Sequence, residues 1–128
     1  MPLEHFCSSL ETDPEVDEEI KMIKKKIVEM LKKQGLGALF FEVAVGLKTS
    51  MRHCMIEAVG IPLNLLGDAE IYFKKAFLEL ESEWNTHKKI IPISNEKGGI
   101  RKEIPKSISF YLILIQNNVR FSLCSCGF

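Results

Sequence analysis

No stretch of this chain approaches the roughly 20 consecutive apolar residues that a membrane-spanning helix requires. Its amino terminus carries Glu4 and His5, where a secretory signal would have a basic flank and an apolar run. The expected setting is nuclear or cytosolic, without membrane attachment. Neither sign of charge is in excess, 17 Lys and Arg against 17 Asp and Glu, so no global field draws the chain to nucleic acid or an anionic surface, and any phosphate contact has to be local. Cys7, Cys54, Cys124 and Cys126 lack the paired spacing of a secreted disulfide framework, and reduced thiols are expected. His53, Cys54 and Cys7 are conceivable metal ligands, but neither Cys-x-x-Cys nor His-x-x-x-His occurs to support zinc. Ser125 occupies the fourth place from the end, where a prenylation signal needs cysteine. A glycine-rich phosphate loop is also missing.

What is present is an ordinary soluble composition, 46% hydrophobic and 27% charged over 128 residues, enough for one domain with a core. Thr12-Asp13-Pro14-Glu15 reads as a helix start, with a capping hydroxyl or carboxylate and proline in the first turn. The helix should run to about Gln34, since Val16, Ile20, Ile23, Ile27 and Met30 or Leu31 recur in steps of three and four. Gly35 can supply the left-handed residue that ends it. Acidic residues Glu15, Asp17, Glu18 and Glu19 precede Lys24, Lys25, Lys26, Lys32 and Lys33, an order that suits the helix dipole. The simpler reading of the lysines is a solvated face.

Ala38 to Val45 is short, aromatic and β-branched, as a buried strand is. Gly46 to Ser50 should turn it into an antiparallel partner that contains His53 and stops near Gly60-Ile61-Pro62. A second helix is expected from about Asp68 to Trp84, with Phe73, Phe77, Leu80 and Trp84 packing on the sheet and Lys74 and Lys75 pointing away. His87 to Lys106 reads as a basic irregular loop with a short apolar insert, Ile90 to Ile93. Ile108 to Ile115 and Val119 to Leu123 read as a hairpin turned by Asn117-Asn118.

On the strand expected around Met51 to Val59, alternation would put His53, Met55, Glu57 and Val59 on one face. Histidines at three alternate positions are the signature of histidine-triad hydrolases and transferases. Only His53 is here, with Met55 and Glu57 at the other two places. A thioether cannot take up and return a phosphoryl group, because it has no ionisable nitrogen and forms no activated leaving group at neutral pH. Glu57 would set a negative charge where an anionic substrate has to sit. His53 is either a strand histidine bonded to backbone or water, or a surviving phosphate contact. Glu57 is more simply a polar residue of the sheet face or a partner of Arg52 or a lysine than a general base.

Three blocks then carry a resemblance: Pro2-Leu3-Glu4-His5; His53-Cys54-Met55-Ile56-Glu57-Ala58-Val59; and Ile71-Tyr72-Phe73-Lys74-Lys75-Ala76 with Glu83-Trp84, Lys88-Lys89, Ile100-Arg101-Lys102 and Ile104-Pro105-Lys106. Together they resemble the carboxy-terminal histidine-triad-like domain of the CwfJ splicing factors, in the Cwf-nineteen-like, type-two branch. Gly60 stands where that family usually has proline. The family domain also has a strand before the Pro2-Leu3 block, and a strand and glycine-rich turn after the position of Tyr111, which Leu112 to Phe128 do not resemble. Residues 1–111 are therefore expected to form a partial domain of this family and 112–128 a divergent tail. The implied fold is α+β and histidine-triad-like, an antiparallel sheet with two main helices, incomplete at both ends, with an open edge and uncovered apolar surface.

The resemblance implies a non-catalytic module of a pre-mRNA splicing factor, without cofactor, acting with late spliceosomal complexes and excised intron lariats. Its partners would be spliceosomal RNA and spliceosomal or debranching proteins. Lys74, Lys75, Lys88, Lys89, Arg101 and Lys102 are the candidates for RNA phosphate, as a local positive face on a neutral chain. The alternatives are a residual nucleotide hydrolase using His53 and a truncated product without independent activity.

Overall fold

The computed structural model describes residues 1–45, 52–83, 88–92, 109–115 and 119–125, with side chains for 1–45, 52–79 and 110–115. The elements are α1 (Pro14–Lys33), β1 (Leu36–Ala44), β2 (Ile56–Pro62), α2 (Leu66–Glu83), β3 (Lys88–Pro92), β4 (Ser109–Ile115) and β5 (Val119–Ser125), with a 3₁₀ turn at Leu63–Leu65 leading into α2. The strands form one antiparallel sheet of five in the order β2-β1-β4-β5-β3. The architecture is thus α+β, an antiparallel sheet with two helices. No helix among the described residues is long and apolar enough to cross a membrane.

β1 is flanked by β2 and β4 and is buried on both faces, which explains its apolar run. On one face Ala38, Phe40 and Ala44 join Phe110, Leu112 and Leu114 of β4 and Leu10 of the amino-terminal segment, with Ile27, Val28 and Leu31 of α1 packed on them. On the other face Leu39, Ile113 and Ile115 meet Phe77, with Phe41, Leu66, Ala69 and Phe73 around them. Each helix therefore covers one face of the central pair. Burying a side chain such as Phe40 or Phe110 contributes about 1.5–3 kcal/mol relative to leaving it in water.

α1 ends as its sequence indicates. Gly35 takes a φ of 74°, a left-handed value that costs glycine little, and its N–H reaches the Lys32 carbonyl at 3.1 Å. The start differs. Asp13 is the capping residue in extended conformation and makes no side-chain cap bond, while Thr12 Oγ1 donates to the Ser9 carbonyl at 2.9 Å. The apolar stripe also turns from the expected one, since Ile23 and Met30 are half exposed and Val28 packs inward. Lys24 is drawn over the Phe40 ring, its Nζ 5.9 Å from the centroid, while Lys25, Lys26, Lys32 and Lys33 face solvent.

The largest correction concerns the strand of His53. Ladder pairing begins at Ile56, opposite Glu42, and runs to Pro62, opposite Leu36. His53 and Met55 precede the strand and share no pleated face with Glu57. Backbone competition explains the shift: the Cys54 N–H bonds the Phe6 carbonyl at 2.5 Å, and the Arg52 guanidinium donates to the carbonyls of Val43 and Val45. β2 stops at Pro62, as expected, and is an edge strand, with one row of its donors facing no ladder. It is not the centre of the sheet.

α2 begins at Leu66, two residues before the expected start at Asp68, and buries Phe77 with Phe73 beside the same core. Trp84 and the side chain of Leu80 lie outside the described residues. Lys88–Pro92, expected within an irregular loop, is a strand paired with β5. The expected hairpin is present, with Ile115 opposite Val119 and pairing continuing to Ser109 and Ser125. β4 runs through position 111 without interruption.

Gly37 marks where α2 meets the sheet. A Cβ there would fall 2.6 Å from Leu66 Cγ and 2.9 Å from its Cδ2, closer than packed atoms sit. Gly37→Ala should lower stability by about 1–3 kcal/mol in urea titration, and Leu66→Ala in the same chain should remove the steric part of that loss, making the pair less than additive.

Candidate functional site

The region around His53 is organised by a carboxylate that the strand pattern places among apolar neighbours. Glu42 lies on the α1 side of β1 between Phe40 and Ala44 and is 3% exposed. A charge so placed requires donors. They come from the amino-terminal segment: the Ser9 N–H donates to Glu42 Oε1 at 2.7 Å and the Ser9 hydroxyl to Oε2 at 2.5 Å. Cys54 Sγ donates to Oε1 at 3.7 Å. One side chain thus fastens residues 1–13, hereafter the strap, and the segment before β2 to the central strand. Leu10 adds an apolar anchor, 2% exposed in the same core.

This fastening sets the position of His53. Its ring meets the ring of His5 edge to face, centroids 4.3 Å apart and planes at 71°, with both residues exposed. Met55 is 56% exposed, and Glu57 is exposed on β2 opposite Phe41. The structure therefore brings His5 to His53 and does not assemble His53, Met55 and Glu57 into one cluster. Beside them a cleft of about 390 Å³ opens between strap, α1 and sheet, with Phe40, Cys54 and Ile56 below, Ile20 and Lys24 on one wall and Leu3 on the other. Among the described residues, no three or more His, Cys, Asp or Glu side chains are placed to hold a metal ion.

Cys54 is not a nucleophile in this setting. Burial, reinforced by the neighbouring Glu42 charge and its hydrogen bond, pushes the thiol up to about 12, and the neutral thiol is the unreactive form. The exposed thioether of Met55 offers no alternative.

The basic candidates lie elsewhere. Lys74 and Lys75 are exposed on α2, which covers the sheet face opposite the one bearing Glu42 and the cleft. Lys75 stands 3.8 Å from Glu79, both largely solvated, a geometry that adds little stability. Ile71 and Tyr72, 69% and 68% exposed, share this helix surface. Lys88 and Lys89 start β3 opposite Ser125 and Cys124, but their side chains, together with all of Arg101 and Lys102, lie outside the described residues. Glu42, Ser9 and His5 were not anticipated as a group. The available signal was a lone acid inside Leu39-Phe40-Phe41-Glu42-Val43-Ala44, which a buried strand tolerates only with partners.

Two measurements check this arrangement. At pH 8 the folded protein should alkylate at half-buried Cys7 well before buried Cys54, with both reacting once it is denatured. Because the folded Cys54 value of about 12 exceeds its ordinary 9.0, the stability from keeping it neutral is fully present below pH 9.0 and is lost as pH rises through about 12. Cys54→Ala should flatten that alkaline decline in a pH series of urea midpoints.

The family described as "Protein similar to CwfJ C-terminal" matches residues 1–74. CWF19-like protein 2 of mouse is 34% identical over 113 residues, and its human counterpart 33% over the same length, covering 88% of this chain and 12% of either relative. The pre-mRNA-splicing factor cwf19 of Schizosaccharomyces pombe is 29% identical over 116 residues, 87% of this chain and 18% of that protein. The chain thus spans about an eighth of the length of the first two relatives. The family match holds the strap, α1, β1, β2 and the first half of α2, which are the elements that build the Glu42 and His53 region, and the chain belongs to the CwfJ carboxy-terminal family.

Proposed function

We propose that this chain is a non-catalytic, nuclear module of a pre-mRNA splicing factor, built on a histidine-triad-like fold and binding RNA through the outer surface of α2. The observation that carries the non-catalytic reading is the chemistry at His53: the neighbouring thiol is held neutral, and the next position of the degenerate motif is an exposed methionine. The relative named as a pre-mRNA-splicing factor supports the cellular role. By the family resemblance, the RNA is spliceosomal or an intron lariat, handled with spliceosomal and debranching proteins.

Lys74 and Lys75 are the first contacts in this reading, exposed on one helix of a chain with no net charge. Lys88, Lys89, Arg101 and Lys102 extend the set. Tyr72, beside the lysine pair and largely exposed, offers a face on which an unpaired base can stack. Recognition of this kind follows backbone charge and shape, so it is weak and falls steeply with salt.

A residual nucleotide hydrolase is the second reading, favoured by the cleft that Cys54 lines next to the His5 and His53 pair. Turnover of a nucleoside phosphoramidate or dinucleotide by wild type and His53→Ala separates the two. The non-catalytic reading expects none from either, and wild-type turnover abolished by the substitution would establish the enzyme.

RNA binding is tested by fluorescence anisotropy on a short single-stranded RNA. Affinity should fall between about 50 and 200 mM salt, and Lys74→Ala with Lys75→Ala should weaken it across sequences and reduce the salt slope by about 1.4. Absence of binding at the lower salt, or binding unchanged by the two alanines, would overturn the assignment to α2.

A further inference from the structure

We propose that Ser9 is a phosphorylation site and that Glu42 makes it a latch, so that a phosphate on Ser9 releases the amino-terminal strap from the sheet and opens the cleft beside it. This does not depend on RNA binding by α2. Three hydroxyls stand in the strap, and burial separates them: Ser8 is 0% exposed and Thr12 2%, whereas Ser9 is half-buried. Ser9 also lies in irregular backbone just before α1, where a short excursion can present it to an enzyme. Glu11, Asp13 and Glu15 follow it at alternate positions, an acidic run suited to a kinase with a basic substrate groove.

In the transfer, the Ser9 Oγ attacks the γ-phosphorus of a nucleoside triphosphate bound by the kinase. The bond from that phosphorus to the β,γ-bridging oxygen breaks, the serine proton passes to the kinase's base, and the nucleoside diphosphate leaves. The product removes the donor in the hydroxyl contact to Glu42 Oε2, 2.5 Å long in the unmodified chain. It replaces that donor with a group carrying about −1.5 to −2 charge. Two negative groups then compete for one buried position, where screening by water is weakest.

The strap is the element that yields. Near Ser9 the strap is also tied to the rest of the chain by the Ser9 N–H to Glu42, the Cys54 N–H to Phe6 and the buried Leu10 side chain. The first is lost with the latch, while β1 is held by ladders on both sides. Movement of the strap carries Pro2 and Leu3 away from the cleft, uncovering Phe40 and Ile56, and parts His5 from His53.

The test is amide hydrogen exchange on the whole chain, for wild type, Ser9→Ala, Ser9→Glu, Glu42→Gln, the Ser9→Glu/Glu42→Gln pair, and wild type treated with an acid-directed serine kinase and ATP. Ser9→Glu should raise exchange across Cys7 to Glu11 by about tenfold with β4 unchanged, and Ser9→Ala should raise it less. Glu42→Gln in the same chain should cancel the Ser9→Glu increase, because its amide can donate to the new carboxylate. Kinase treatment should place phosphate on Ser9, and the modified chain should show the same rise. The proposal is overturned by absence of phosphate on Ser9, by phosphorylated chain exchanging as wild type, by Ser9→Ala matching Ser9→Glu, or by a Ser9→Glu effect that survives Glu42→Gln.

Discussion

The structure depends on a strand pair covered on both faces over most of its length, with Val43 and Tyr111 exposed at one end. β1 and β4 lie side by side within the sheet, with α1 and the strap on one side and α2 on the other. Side chains entering that layer have to be apolar or fully partnered, and Glu42 is the charged residue that enters it. Its need for donors governs much of what surrounds His53. Ser9 has to come to the sheet, the strap has to cross beside α1, and the segment before β2 has to approach the strap.

This layering separates two kinds of chemistry. On the α1 side stand the histidine pair, the neutral Cys54 thiol and the cleft. On the α2 side, exposed lysines and an exposed tyrosine share one helix surface. A catalytic role would place the working groups on the first side, and a role in holding nucleic acid backbone would place them on the second. The proposed function takes the second, since the motif position after His53 is an exposed methionine and the Cys54 thiol is held neutral.

Periodicity made the regular elements legible. The aromatic run of β1 and the Phe73 and Phe77 spacing in α2 each describe a face that packs as read, and the step of three and four placed α1 while its packed stripe takes in Val28 and leaves Ile23 and Met30 half exposed. The antiparallel pairing of β1 with β2 and the hairpin from Ser109 to Ser125 also follow from short connections between apolar runs. What alternation could not reveal was where β2 begins. Cys54 and Ile56 both read as strand, but the Cys54 amide finds Phe6, almost fifty positions earlier, and a contact of that separation leaves no local pattern. The end of the strand was legible, since β2 stops at Pro62, where the next ladder donor is missing. The Glu42 cluster was half legible, as an acid in an apolar strand, whereas its partners in the strap depend on tertiary approach. The matched block Pro2-Leu3-Glu4-His5 identified the family without revealing that its histidine meets His53.

The central claim is that the chain binds through α2 and performs no chemistry at His53. Its most direct test is amide and side-chain NMR of the whole chain, recorded with a short single-stranded RNA and separately with a nucleoside phosphoramidate, whose phosphorus signal is followed for a day. The claim requires shifts concentrated on Tyr72, Lys74 and Lys75 with the RNA, and an unchanged phosphorus spectrum. Shifts confined to His5, His53 and the cleft, with the phosphoramidate converted to product, would contradict it.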